Sequence, residues 1–181
     1  MEKVINYKEI SSNFSQIKEI QAVYEESFPS EERREWCDLL ALLDDEPRFH
    51  VLAACDADDE SLAGFITFWE FDGFTYIEHL AVQPRLRGHG IGAALLAQVN
   101  VPARVPLLLE VEPPTGEMER RRIGFYNRAG LALRDDVDYV QPSYALGKPS
   151  VPLCLMVTPG MSHEDVVAAA HTLHKCVYRS L

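Results

Sequence analysis

The chain has 181 residues, of which 47% are apolar, and a formal net charge of −11. That length suits one domain with a sizeable core, and the apolar share excludes a disordered chain. The acidic balance argues against a general nucleic-acid binder, which presents a basic face; it is compatible with solubility alone or with an amine drawn to an acidic cleft.

The opening "MEKVINYKEI" has no charged-then-apolar leader pattern, and no window nears eighteen consecutive apolar residues. The expectation is a cytoplasmic protein without a membrane partner. From Asn13 a helical pattern begins, with Ile17, Ile20, Tyr24 and Phe28 at three- and four-residue steps and Gln16 at the spacing of a capping box. Pro29 and Ser30 interrupt it. "EERREW" then opens a second helix with acidic residues in its first turn and an apolar face of Trp36, Leu39, Leu40 and Leu43. "RFHVLAACD" and "LAGFITFWEF" read as strands around the turn "ADDES", and "TYIEHLAV" follows the Asp72-Gly73 turn. A glycine-rich loop feeds a helix over roughly Gly90 to Val99. "PLLLEVE" reads as a buried strand, "EMERRRIGFYNRAG" as a helix closed by Gly130, and "VPLCLMV" as a late strand. Ser162 starts a last helix with Val166, Ala170, Leu173 and Val177 on one face. Two helices, three antiparallel strands and then alternating helices and strands give a mixed sheet covered by helices, an α/β (α+β) single domain. Cys37, Cys55, Cys154 and Cys176 are scattered without CxxC spacing, as reduced thiols packed like small apolar residues.

The loop "RLRGHGIGAALL" lies between a strand and a helix, where unpaired backbone N–H groups meet the positive end of the helix dipole. Glycines let those groups approach an anion, and Arg85 and Arg87 add charge, so the loop reads as a polyphosphate cradle. No Gly-Lys-Ser/Thr follows, which excludes a P-loop. Gly88, Gly90 and Ala93 fit a dinucleotide G-x-G-x-x-A pattern with Glu110 further on, but "QPRLR" intervenes after the strand and the preceding connections are hairpin-like. The other register is Arg-x-x-Gly-x-Gly at Arg87, Gly90 and Gly92.

In that register the chain resembles the GNAT superfamily of N-acetyltransferases. "HLAVQPRLRGHGIGAALL" is similar to the family's fourth strand, diphosphate loop and following helix, "PLLLEVE" to its fifth strand, and "FYNRAGL" to its aromatic-Tyr-x-x-x-Gly-Phe stretch, with Leu131 in place of Phe. "ESFPSEERREW" is similar to the N-terminal helices of many bacterial members. The resemblance implies a mostly antiparallel central sheet flanked by helices over residues 1–158. Residues 159–181 are expected as a helical extension packed on the same domain, where they cover an edge or support a homodimer. It implies direct, metal-free transfer of an acetyl group from acetyl-CoA to a primary amine of a small molecule or peptide. A dinucleotide-dependent oxidoreductase and a non-catalytic acyl-CoA-binding module are the competing readings.

Carried over residue by residue, the resemblance puts Leu80, Ala81 and Val82 along the pantetheine arm and Arg87, Gly88, His89, Gly90, Ile91, Gly92 and Ala93 around the diphosphate. His89 is expected to face solvent. Tyr126 matches the tyrosine that donates to the departing sulfur. For a base, Glu78 stands first, on the reasoning that 78, 80 and 82 share one strand face. Glu110 and Glu112 share a face on the next strand and are expected, with Tyr139, near the substrate; Tyr144 belongs to the same region. Arg120, Arg121 and Arg122 read by default as a solvated helix face, with a reach toward CoA phosphates as the other reading, and His171, His174 and Cys176 form no metal cluster by spacing.

Overall fold

The computed structural model describes residues 4–103 and 105–179, so the extreme ends of both expected units lie outside the described residues. Seven strands form one sheet in the order β1-β2-β3-β4-β5-β7-β6: β1 (Ile5–Glu9), β2 (Phe49–Asp56), β3 (Leu62–Phe71), β4 (Phe74–Val82), β5 (Leu107–Val111), β6 (Ala132–Gln141) and β7 (Val151–Val157). Every neighbouring pair is antiparallel except β4 and β5. Five α-helices accompany it among the described residues: α1 (Ile17–Ser27), α2 (Trp36–Asp45), α3 (Ile91–Ala103), α4 (Glu117–Arg128) and α5 (His163–Thr172).

The sheet separates two apolar layers, as a two-faced sheet with helices on both sides must. One joins Tyr24 and Ile20 of α1, Leu39 of α2 and Val166 and Ala169 of α5 to Trp69, Tyr76 and Ala81. The other joins Leu95 and Val99 of α3 and Ile123 and Tyr126 of α4 to Ile66, Ile77 and Leu109, with Leu80 and Val82 packed against it. The terminal helix begins with a capping box: Ser162 Oγ accepts from Asp165 N–H at 3.1 Å, and Asp165 Oδ2 accepts from Ser162 N–H at 2.9 Å. Its apolar face continues through a wider π turn over Leu173–Val177, and Val166, Ala170, Leu173 and Val177 are all buried.

Several local expectations are corrected. The first helix starts at Ile17 with no side-chain cap, and no box forms at Asn13; Gln16 Nε2 instead donates to the Glu60 carbonyl at 3.1 Å. "EERREW" is not one helix. Ser30–Glu32 form a single 3₁₀ turn, Arg33 is extended, and α2 begins only at Trp36. That break frees Arg34 to point inward, where it is buried. Two strands, β1 and β6, go unannounced in the sequence. Both lie at sheet edges and carry more exposed positions than buried ones, so the alternation that marks a half-buried strand is weak.

The site-shaping features sit in β4. Thr67 of β3 pairs with His79, and the next residue, Phe68, pairs with Ile77, so Glu78 is an unpaired extra residue, a β-bulge. The bulge breaks the expected sharing of one face by 78, 80 and 82. Glu78 and His79 both turn toward the layer of Tyr24, Trp69 and Tyr144, while Leu80 and Val82 face α3 and α4. Beyond Ile77 the parallel pairing of β4 with β5 also stops: the last partners are Ile77 and Leu109. Past that point β4 stays with β3 and β5 stays with β7, so the two strands diverge.

Candidate active site

Two cavities open where the strands part. The first, of about 420 Å³, is lined by Leu80, Val82, Gly88, Gly90, Ile91, Gly92, Ala93 and Phe125. Gly88 and Gly90 have φ of +80° each, a conformation L side chains rarely adopt, and a Cβ at either would meet only open space. The first i→i+4 bond of the following helix runs from Ala94 N–H to the Gly90 carbonyl at 3.0 Å. The amides of Ile91, Gly92 and Ala93 precede it and have no intrahelical acceptor, so they are available to an anion at the positive end of α3. Arg87 Nε donates to the Val82 carbonyl at 3.2 Å and ties the loop to its strand. The exposed His89 ring turns back on its own loop, Nδ1 lying 3.0 Å from the Arg87 carbonyl. Arg85 remains outside, with Nε 3.5 Å from Gln83 Oε1. The groove suits a diphosphate joined to a narrow, largely apolar arm.

The second cavity, of about 350 Å³, has a different lining: Glu26, Glu32, Glu78, Glu110 and Glu112, with His79, Met118, Gln141 and Tyr144. It shares Leu80, Val82, Arg87, Arg122 and Tyr126 with the first. Tyr126 therefore stands on the common wall. It is 9% exposed, and burial pushes its phenol up to about 12, partly offset by Arg122. Of the three consecutive arginines of α4, only Arg122 lines the cavities, where it pairs with Glu112. Arg120 Nη1 donates to the Pro114 carbonyl at 3.2 Å, and Arg121 makes an exposed 3.7 Å contact with Glu117.

The two central carboxylates have opposite surroundings. Glu78 Oε1 accepts from Arg34 Nη2 at 2.9 Å and from Tyr144 Oη at 2.8 Å, and Oε2 accepts from Trp69 Nε1 at 2.8 Å. Burial alone would raise its proton affinity; the Arg34 charge and these donors more than reverse that and hold it below the usual carboxylate range. Among the described residues, Glu110 has no cation as a hydrogen-bond partner. Oε2 accepts from Tyr76 Oη at 2.8 Å and Tyr178 Oη at 2.6 Å, and Oε1 accepts from Tyr139 Oη. Burial dominates there: despite three phenol donors, Glu110 is pushed up to about 7. Glu112 lies just past the end of β5, and the neighbouring Glu32 is raised by burial and by Glu112.

His79 beside them is a structural imidazole. Burial keeps it neutral, its Nε2 is 3.1 Å from the Glu32 carbonyl, and Nδ1 faces Thr67 Oγ1 at 3.5 Å. His174 Nε2 lies 3.1 Å from the Val140 carbonyl. Arg34, Trp69, Tyr76 and Tyr178 were absent from the residues expected at the site. Arg34 falls within "ESFPSEERREW" and the other three outside the motifs, and the break before α2, the bulge and the terminal helix bring the four together.

Comparison with known proteins gives the class. Residues 14–105 match the acetyltransferase (GNAT) family model. A solved structure from Bacteroides thetaiotaomicron, described as an acetyltransferase from the GNAT family, superposes with a TM-score of 0.86 at 39% identity, covering 96% of this chain and 98% of that one. YjbC of Bacillus subtilis strain 168, described as an acetyltransferase, is 28% identical over 147 residues, 80% of this chain and 73% of its own length. Arabidopsis thaliana NAA60, solved with a bisubstrate analogue, shares the fold at a TM-score of 0.64 and 19% identity, over 86% of this chain and 98% of that one.

The chain belongs to the GNAT family of acetyltransferases. It is an N-acetyltransferase enzyme built on the family's mixed, mostly antiparallel sheet. The hairpin connections expected ahead of the loop are present, since β2, β3 and β4 pair antiparallel in chain order, although α3 also joins the parallel strands β4 and β5 and so opens a strand–helix–strand unit. Family membership, rather than that local topology, separates the two readings.

Proposed function

We propose that this protein transfers the acetyl group of acetyl-CoA directly to a primary amine of a small molecule or peptide. The thioester lies in the glycine-lined cavity and the amine enters through the carboxylate-lined one. The observation that carries this reading is the shared wall at Tyr126 and Leu80, a single place where donor and acceptor can meet.

Acetyl-CoA supplies an activated carbonyl and a thiolate leaving group. The amides of Ile91, Gly92 and Ala93, with those of the preceding Arg87–Gly90 loop, hold the diphosphate. The edge of β4 left open beyond Ile77 offers the backbone of Leu80 and Val82, whose groups alternate with the β3-facing ones of Ala81, to the pantetheine amides. Glu26, Glu32 and Glu112 favour a cationic amine at the mouth.

The ammonium sheds one proton to solvent at the mouth and attacks as the neutral amine; Glu110 takes the second proton, which the nitrogen sheds as the C–N bond forms. Its value of about 7 matches a base working near neutral pH, and phenols hold three of the roughly four lone-pair positions of its carboxylate. Glu78 stood first from the sequence. Its charge is committed to Arg34, so we assign it to holding that arginine rather than to proton transfer. Tyr126, kept protonated by burial, donates its hydroxyl proton to the sulfur as the C–S bond breaks. Isothermal titration with acetyl-CoA and with CoA, then a thiol-release assay across primary amines, tests the proposal. Micromolar binding and amine-dependent CoA release are expected; folded protein that binds neither compound overturns it.

A further inference from the structure

We infer that Tyr178, delivered by the terminal helical segment, is a positioning residue for the transfer: it fixes the carboxylate of Glu110 in the orientation from which that group takes the amine proton. This rests on the role proposed above for Glu110.

The segment is placed by an irregularity. After α5 the backbone widens into the π turn of Leu173–Val177, with Tyr178 N–H bonded to the Leu173 carbonyl at 3.1 Å. A wider turn delays the helix by a residue, and in an unbroken α-helix one residue is a rotation of roughly 100°. Here the delay leaves Tyr178 buried and aimed at β5. Its hydroxyl donates to Glu110 Oε2 at 2.6 Å and lies 3.0 Å from the Tyr76 hydroxyl. The ring packs on Tyr144 with centroids 4.9 Å apart.

The same segment touches the other carboxylate indirectly. The Val177 carbonyl accepts from Arg34 Nη2 at 2.9 Å, the same nitrogen that donates to Glu78. One turn of chain thus braces the Glu110 and Glu78 networks together. The groups that face Glu110 are Tyr76 and Glu78 from β4, Tyr139 from β6, Tyr144 from the loop after it, and Tyr178. His174 packs behind Tyr139, with ring centroids 5.4 Å apart. Among the described residues, Tyr178 is the one hydrogen-bond donor to Glu110 that does not come from the sheet. Without its hydroxyl, Oε2 keeps only Tyr76, the charged carboxylate loses a donor, and its proton is held more tightly.

The test uses the full chain, Tyr178→Phe, and protein labelled with ¹³C at glutamate carboxyl carbons, the Glu110 signal being assigned by its loss in Glu110→Gln. In Tyr178→Phe the Glu110 carboxyl should titrate at least about half a pH unit higher than in the parent chain. The acid limb of kcat/KM should move with it, with KM for acetyl-CoA unchanged. An identical Glu110 titration in the two proteins overturns the inference and leaves the base assignment standing. Full turnover in Glu110→Gln overturns the base assignment itself, and the positioning role with it. Should the Phe variant not fold, 3-fluorotyrosine at position 178 keeps ring and hydroxyl but donates more strongly. It must then lower the Glu110 titration, and no change overturns the inference.

Discussion

Arg34 Nη2 donates to Glu78 Oε1 at 2.9 Å across 44 positions of sequence, and the two side chains are only 10% and 1% exposed. The guanidinium also lies over the Tyr144 ring at 4.8 Å and the Trp69 ring at 5.7 Å. A buried pair of this kind contributes little net stability, yet removing one partner strands the other charge. Arg34→Met should therefore cost about 3–5 kcal/mol in urea unfolding. Adding Glu78→Gln to the same chain should recover much of that loss. A single variant as stable as the parent would contradict the pairing.

The glycine loop makes a separable prediction. Gly90→Ala places a side chain at φ +80° and should cost about 1 kcal/mol of stability, with no steric clash. Gly90→Glu adds a negative charge where the diphosphate is proposed to sit. Calorimetric affinity for CoA should fall at least about a hundredfold, since like-charge contacts cost several kcal/mol. Unchanged affinity in the Glu variant would place the diphosphate elsewhere.

Tyr126→Phe removes the proposed acid and keeps the ring. Steady-state kinetics should show kcat lowered roughly a hundredfold, the ordinary share of one proton donor, with KM for acetyl-CoA nearly constant. Because the phenol is pushed up to about 12, its ionisation should not depress the rate on the alkaline side below pH 10. Unaltered kcat would remove Tyr126 from the chemistry.

Glu110 links rate and stability to pH with opposite signs. As a base pushed up to about 7, it should give a kcat/KM that rises with pH through that value and then levels. Its folded-state value lies above the ordinary 4.5, so between the two the folded chain binds the extra proton. Stability from this group is full below 4.5 and is lost as pH climbs to 7. Relative to Glu110→Gln, the parent should lose about 3 kcal/mol of unfolding free energy across that window. A difference between the two proteins that stays flat with pH would contradict the raised value.

What could be read from sequence was contiguous in sequence. The strand "TYIEHLAV", the loop Arg87–Gly92, helix α3 and Tyr126 follow from local periodicity, glycine spacing and one short aromatic stretch. The strand β6 was hidden by Asp135, Asp136 and Asp138 and by an irregular register between Arg134 and Tyr139. The bulge at Glu78 was hidden because register belongs to the pairing with β3 and not to β4 alone. Arg34 and Tyr178 reach the centre from 44 and 68 positions away, through a helix that breaks early and one that widens late. Neither contact leaves a local trace.

The central claim is that one side of Tyr126 faces an acetyl donor and the other an amine. It is tested most directly by incubating the protein with ¹³C-acetyl-CoA and a panel of diamines, amino sugars and amino-terminal peptides, and reading the products by mass spectrometry. The account predicts a labelled acetyl group on nitrogen of at least one amine, formed with one CoA released per acetyl and roughly a hundredfold more slowly in Tyr126→Phe. Folded, CoA-binding protein that labels no amine in the panel, or labels one equally well without the Tyr126 hydroxyl, would contradict it.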